Sequence, residues 1–254
     1  MRFWLVLLAA LGLAGCSVQA INERLTTPDE RALAVRVIRA TRAGDRDAVM
    51  RDAAPQLAGQ LSPELFARLA ASIPDGEPVL ETANVQSATG PAGVQTLKFL
   101  NYELGAGNRW AVVQVILDTS GGAARLNGIY ALPGDHSLVQ ANRLTLAGKT
   151  PLHYAWLGAM FSAVLVSLAA LVLILRARGL RYKWAWALGC LVSFVTFSLD
   201  WTTGTASVQP ISVLLLGAAV FQAGPLNPWL FSFAIPVLPI AFLFRYWRKG
   251  LGNA

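Results

Sequence analysis

Trp110-Ala-Val-Val-Gln-Val-Ile-Leu117 is a run in which apolar residues fill both sets of alternating positions, interrupted only by Gln114. β-Branched and aromatic residues at this density favour extended backbone, and the run is too short for a typical helix. A strand that is apolar on both faces belongs in the interior of a sheet. The near-two period continues on either side. Val79–Val85, Val94–Leu104, Trp110–Thr119, Ala124–Leu132 and Leu138–Leu146 read as five strands. Between them lie the turn clusters Gly90-Pro-Ala-Gly93, Gly105-Ala-Gly-Asn108, Ser120-Gly-Gly122 and Pro133-Gly-Asp135. Turns this short between consecutive strands predict antiparallel hairpins.

Upstream the apolar period lengthens to near four. Thr27-Pro-Asp-Glu30 is a capping-box signature, with Thr27 as N-cap and Pro28 in the first turn. Leu33, Val37 and Ala40/Thr41 form the inward stripe of that helix, with Arg36 and Arg39 turned away. Asp45 caps a second helix that buries Val49, Ala53 and Leu57. Ser62-Pro-Glu64 opens a third, with Leu65, Leu69 and Ile73 inward. Helices first and a meander afterwards predict an α+β unit over 27–150, its N-terminal helices packed on a curved antiparallel sheet.

The segment Ala43-Gly-Asp-Arg-Asp-Ala-Val-Met-Arg-Asp-Ala-Ala-Pro-Gln-Leu57, followed by Leu61-Ser-Pro-Glu-Leu65, resembles the helix-breaking pattern of the nuclear-transport-factor-two-like superfamily. That resemblance covers about half of the chain. It implies a cystatin-like roll in which the sheet wraps around a helix, in a superfamily that includes both enzymes and non-catalytic binding or assembly domains.

The two ends of the chain read differently. Arg2, an apolar run from Phe3 to Leu13 and the tetrad Leu13-Ala-Gly-Cys16 resemble a bacterial lipoprotein signal peptide with its lipobox. That resemblance implies cleavage after residue 15, diacylation of Cys16 and a lipidated tether over 16–26. At the other end, 151–254 reads as a membrane region with spans at about 156–175, 184–201 and 228–244. Ile211–Ala223 is apolar but too short to cross, and is expected as a re-entrant or interfacial helix. Pro236 and Pro239 predict a kink in the last span.

Charge sets the orientation. The net charge is +7, yet 17–150 is neutral, with thirteen basic and thirteen acidic residues. The excess sits in Arg176, Arg178, Arg181 and Lys183 and in Arg245, Arg248 and Lys249. Basic clusters beside apolar runs are retained on the cytoplasmic side. Three spans then put both clusters inside, with the C-terminus cytoplasmic and the folded unit in the periplasm, at a bacterial inner membrane. Trp156, Trp184, Trp186, Trp201, Trp229 and Trp247 fall near span ends as an aromatic belt. Charge arranged in this way argues against nucleic-acid binding, which needs a basic face on a folded domain.

Catalytic signals are few. Asp118 as general base with Tyr102 or Tyr130 as oxyanion donor is the one constellation by residue type. A turn Asp and packing tyrosines account for the same residues, and that reading is preferred. His136 and His153 are the only histidines, and the sequence has no metal-binding spacing, phosphate loop or nucleophile elbow, so no cofactor is expected. Asp200, the only acid beyond residue 150, is a candidate membrane-site residue. The expected function is non-catalytic binding of an envelope protein or a small apolar ligand, with membrane lipid as the anchor. The alternatives are a small cavity enzyme, and an envelope sensor or transport accessory working through the membrane helices.

Overall fold

The computed structural model describes residues 18–90, 93–177, 180–193, 195–210 and 212–248. The signal-peptide and lipobox reading, Cys16, Arg178 and Lys249 lie outside the described residues. The chain divides into two compact units, one of 18–141 with 224–226 and one formed by the rest of 142–248.

The first unit is α+β. Among the described residues five helices precede its sheet: α1 (Val18–Leu25), α2 (Pro28–Arg42), α3 (Arg46–Asp52), α4 (Pro55–Gln60) and α5 (Pro63–Ser72). Where a tether was expected over 18–26, the chain is helical. At α2 the capping box forms as its sequence dictates. The Glu30 amide donates to the Thr27 hydroxyl, and the Thr27 amide donates to the Glu30 carboxylate at 2.8 Å. Asp45 and Ser62 cap α3 and α5 by accepting from the Ala48 and Leu65 amides. Of the three residues expected inward here, Ile73 just past α5 is buried and Leu69 packs against the core, whereas Leu65 is exposed and Phe66 is buried instead.

Four strands follow, β1 (Val79–Gly90), β2 (Gly93–Ala106), β3 (Arg109–Asp118) and β4 (Arg125–Gly134), antiparallel in the order β1-β2-β3-β4. The Trp110–Leu117 run lies on an interior strand. Ala111, Val113, Val115 and Leu117 are buried while their alternates are half-buried. Leu33, Ala34, Val37 and Ile38 of α2 join them, with Leu100, Leu104 and Leu126, in one continuous core. Gly105 faces Trp110 across the β2–β3 pair, where a Cβ would lie 2.3 Å from the indole, so only glycine fits beneath the ring.

The fifth expected strand, Leu138–Leu146, is absent. A short helix α6 (Leu138–Ala141) stands there instead. Its amides are already taken: Leu138 and Val139 donate to the Glu103 carboxylate, and Gln140 donates to the Ser137 hydroxyl. Donors engaged in this way cannot pair with the edge of β4.

A buried ion pair fastens α2 to the sheet. Lys98 Nζ on β2 lies 2.8 and 2.9 Å from the two Glu30 oxygens, with the side chains only 17% and 9% exposed. Removing one partner of such a pair leaves a buried charge uncompensated. Lys98→Met is expected to destabilise the first unit by about 3 kcal/mol, and Thr27→Ala by about 1 kcal/mol, both measured by urea denaturation followed by circular dichroism.

The second unit corrects the three-span reading. Among the described residues one helix, α7 (Pro151–Arg176), is long and apolar enough to cross a membrane. At 26 residues it extends for about 39 Å. The expected span 184–201 is half helix and half strand: α8 (Lys183–Leu191), then β5 (Val192–Ser193) and β6 (Thr196–Asp200). After β7 (Ala206–Gln209), the stretch expected as a helix at 211–223 forms β8 (Leu214–Leu215) and β9 (Ala218–Phe221). The expected span 228–244 is likewise divided, into β10 (Leu230–Ala234) and α9 (Val237–Arg248). The larger sheet runs β7-β6-β10-β9, and β5 pairs with β8.

Cross-strand matching explains why strands win. Ser198 faces Ser232 with their hydroxyls 2.8 Å apart, and Phe197 stacks on Phe233 at 5.4 Å in the adjacent pair. As strands, the two stretches satisfy their hydroxyls and aromatic rings against each other. Nor do Pro236 and Pro239 kink a long helix. They stand before and within the first turn of α9, where proline's missing N–H is no loss.

Candidate functional site

The expected catalytic constellation is not assembled. Asp118 pairs with Leu97 and Arg125 at the end of β3, whereas Tyr102 lies opposite Val113, about 17 Å away along the strand at roughly 3.4 Å per residue. Val113 faces the core and Asp118, by alternation, the opposite sheet face. Tyr130, opposite Gln114, shares the Asp118 face about 14 Å away and is exposed.

Their electrostatics also differ from what catalysis would need. The Ser120 hydroxyl donates to Asp118 at 2.6 Å and the Ser120 amide at 2.9 Å. Together with Gln95 these bonds hold the Asp118 carboxyl below the ordinary carboxylate range. That makes it a turn-forming acceptor and a weak base. Tyr102 is fully buried with no partner for its hydroxyl among the described residues, and burial pushes its phenol up to about 12 against the pull of Arg31.

Asp200 too is structural. Its carboxylate accepts from the Thr202 and Thr203 amides and so forms the β6–β7 turn. Trp201 is a core residue of the second unit and not part of a belt. Its indole donates to the Thr145 carbonyl, its own carbonyl accepts from Lys149, and its ring meets His153 and Phe231. His153 is buried beside it, with Nδ1 2.8 Å from the Thr150 hydroxyl. His136 is an exposed turn residue against Asp135. Among the described residues no group of His, Cys, Asp and Glu has the arrangement to hold a metal.

The described basic residues do converge. Ile174, near the C-terminus of α7, packs with Cys190 of α8 and Phe242 of α9, and Leu173, Leu180 and Tyr246 surround them. Arg176, Arg181, Lys183, Arg245 and Arg248 therefore flank one end of the three-helix cluster. Lys183 Nζ binds the Leu175 and Ala177 carbonyls at the end of α7. At the other end of α7, Trp156 and Met160 pack on the sheet with Leu199 and Phe231.

A cleft of about 470 Å³ opens in the first unit between α1, the start of α2 and β1. Val18, Gln19, Asn22 and Glu23 line it from α1, Arg31 from α2, and Val79, Leu80 and Glu81 from β1. A β-bulge creates its shape. Leu80 pairs with Tyr102 and Thr82 with Asn101, so Glu81 is the extra residue. Asn22 seals the bulge, its amide donating to the Glu81 carbonyl at 3.2 Å and accepting from the Ala83 amide at 2.8 Å. Arg31 is turned to Thr26, donating to its carbonyl and hydroxyl. Burial, with the negative charge of Glu103 behind it, raises the Glu81 carboxyl above its ordinary value.

Sequence reasoning missed this cleft, having assigned 18–26 to a tether. The available signal was local: Glu81 interrupts an apolar strand directly after Val79-Leu80, and Glu103 places a second acid in the neighbouring strand. Comparison of the chain with protein-family models, with curated proteins and with solved structures finds no match.

Because the folded state favours protonated Glu81, ionisation of that group weakens folding. Glu81→Gln is expected to raise the thermal midpoint at pH 7. The gain should shrink as pH falls through the raised folded value, and vanish below the unfolded value of 4.5. Paired melts of the two proteins across pH 4–8 measure it.

Proposed function

We propose that this protein is a membrane-anchored, non-catalytic binding protein of the bacterial envelope, in which the second unit is the anchor and the cleft-bearing α+β unit binds the ligand. The observation that carries this reading is the surface of α7. Its most apolar stretch has a mean hydropathy of 2.6, yet only 28% of that stretch is buried. The core helix of a water-soluble domain hides its apolar side chains, whereas here Phe161, Leu165, Val172 and Leu175 are exposed. Trp184 and Leu188 on α8, and Leu238, Ile240, Phe244 and Trp247 on α9, are exposed as well. Exposed apolar area on this scale is the mark of a lipid- or partner-covered surface.

The gathered cations favour an orientation with Arg176–Lys183 and the end of α9 in the cytoplasm, and with the N-terminal unit in the periplasm. Lipidation at Cys16 would add a second tether at the inner membrane. A cystatin-like roll of the nuclear-transport-factor-two-like kind is the architecture we propose for the first unit, from its helices-then-meander order. The separation of Asp118 from both tyrosines favours binding over catalysis. The cleft supplies a mixed polar and apolar lining of the size small ligands use.

The full chain is expected to remain in the membrane fraction after carbonate washing. The double change Phe161→Glu/Leu165→Glu should shift it to the soluble or degraded pool. Recovery of the unaltered chain as a folded soluble protein would overturn the reading.

A further inference from the structure

We propose that the cleft between α1, α2 and β1 takes a small amphipathic cation, a primary ammonium group carried on a short apolar body. The inference rests on the reading of the first unit as a binding unit and names its ligand class.

The argument comes from which polar groups remain free in the cleft. Asn22 spends both ends of its amide on the β1 bulge. Arg31 spends Nη1 on the Thr26 carbonyl and hydroxyl, and its positive charge acts on the Tyr102 phenol. Glu81 has no hydrogen-bond or ion-pair partner for its carboxylate among the described residues. Glu103 adds negative charge from behind while its own oxygens are held by Ser137, Leu138 and Val139. Glu23 offers a second carboxylate at the rim, touched only by Gln19 at 3.4 Å.

A half-buried carboxylate facing an open cavity attracts a counter-charge brought by a ligand, because opposite charge favours its ionised form. An anion would instead meet the two carboxylates of Glu81 and Glu23 against the one cation of the lining, Arg31, whose Nη1 is held by Thr26. Val18, Val79 and Leu80 give the cleft an apolar wall, and Val18 and Val79 are exposed. The bulge makes the two features adjacent by turning Glu81 out of register between Leu80 and Thr82.

Three probes of one shape test this: benzylammonium, benzoate and benzyl alcohol, titrated calorimetrically into the full chain held in lipid nanodiscs, with empty nanodiscs as the blank. Benzylammonium is expected to bind at least tenfold more tightly than either of the others. Glu81→Gln should weaken it by at least tenfold while the variant melts no lower than the parent at pH 7, and Glu23→Gln should weaken it less. Glycerophosphoethanolamine, the water-soluble ammonium headgroup of a lipid, is added as competitor. Displacement identifies a lipid headgroup as the source of the ammonium, and no displacement identifies a free amine. Benzoate or benzyl alcohol binding as well as benzylammonium, or Glu81→Gln binding it unchanged, would overturn the ligand class alone. Failure of all three probes to bind would remove the cleft as a binding site, and with it the binding reading of this unit.

Discussion

The carboxylate of Glu30 is shared between the Thr27 amide and Lys98 Nζ, and the arrangement of the first unit depends on that sharing. A charge buried this far must be paired or hydrogen-bonded. Here one side chain meets both demands, closing the start of α2 and fixing it against β2. With the helix start held, Leu33, Val37 and Ile38 fall onto Val113, Val115 and Leu117 in one core. Arg31, the next residue after Glu30, is thereby directed to Thr26 at the edge of the cleft. The same residue that anchors the helix thus takes Lys98 as its own partner while Arg31 turns Nη1 to Thr26.

The second unit obeys another constraint. In the membrane anchor we propose for it, each backbone amide and carbonyl away from water must find a partner within the protein. α7 meets that demand between its ends by its own hydrogen bonds, and Lys183 Nζ takes the Leu175 carbonyl in its last turn. The two later apolar segments meet it in two ways, as helix where they flank the basic end and as sheet where Trp156, Met160 and Trp201 pack. Their helical parts, 9 and 12 residues, extend only about 13 and 18 Å, well short of a hydrocarbon core of about 30 Å. Hydropathy alone marks 184–201 and 228–244 as continuous spans because it is blind to the Ser198–Ser232 and Phe197–Phe233 matches that make them strands. Those matches lie more than thirty residues apart and exist only once the chain has turned back on itself.

This divides what the sequence could convey from what it could not. The caps at Thr27, Asp45 and Ser62 are local chemistry, complete within four residues, and each forms as read. The alternation of β3 is equally local. Leu138–Leu146 failed as a strand because Glu103, which takes the Leu138 and Val139 amides, acts across more than thirty residues. Asn22 misled for the same reason. Its helix looks like a polar tether until its amide is seen bound to β1, sixty-one residues away at Ala83. The basic clusters stood between these cases: their count was legible, while their meeting at one end of α7, α8 and α9 needed the packing of Ile174, Cys190 and Phe242.

The bulge at Glu81 joins these threads. A regular β1 would keep residue 81 within the β1–β2 register, and the edge amides would need no help from α1. Instead the strand carries an extra residue, Asn22 supplies the two hydrogen bonds that restore the edge, and the carboxylate is left without a partner beside Glu103. Burying charge without compensation works against folding. Nothing in the first unit's core requires it, since Leu80 and Thr82 on either side retain their partners Tyr102 and Asn101. An arrangement that weakens folding at one residue, and is braced from a second element, is the kind of local cost that accompanies binding sites. The unpaired Glu81 is therefore the feature that most clearly separates this cleft from a gap in packing.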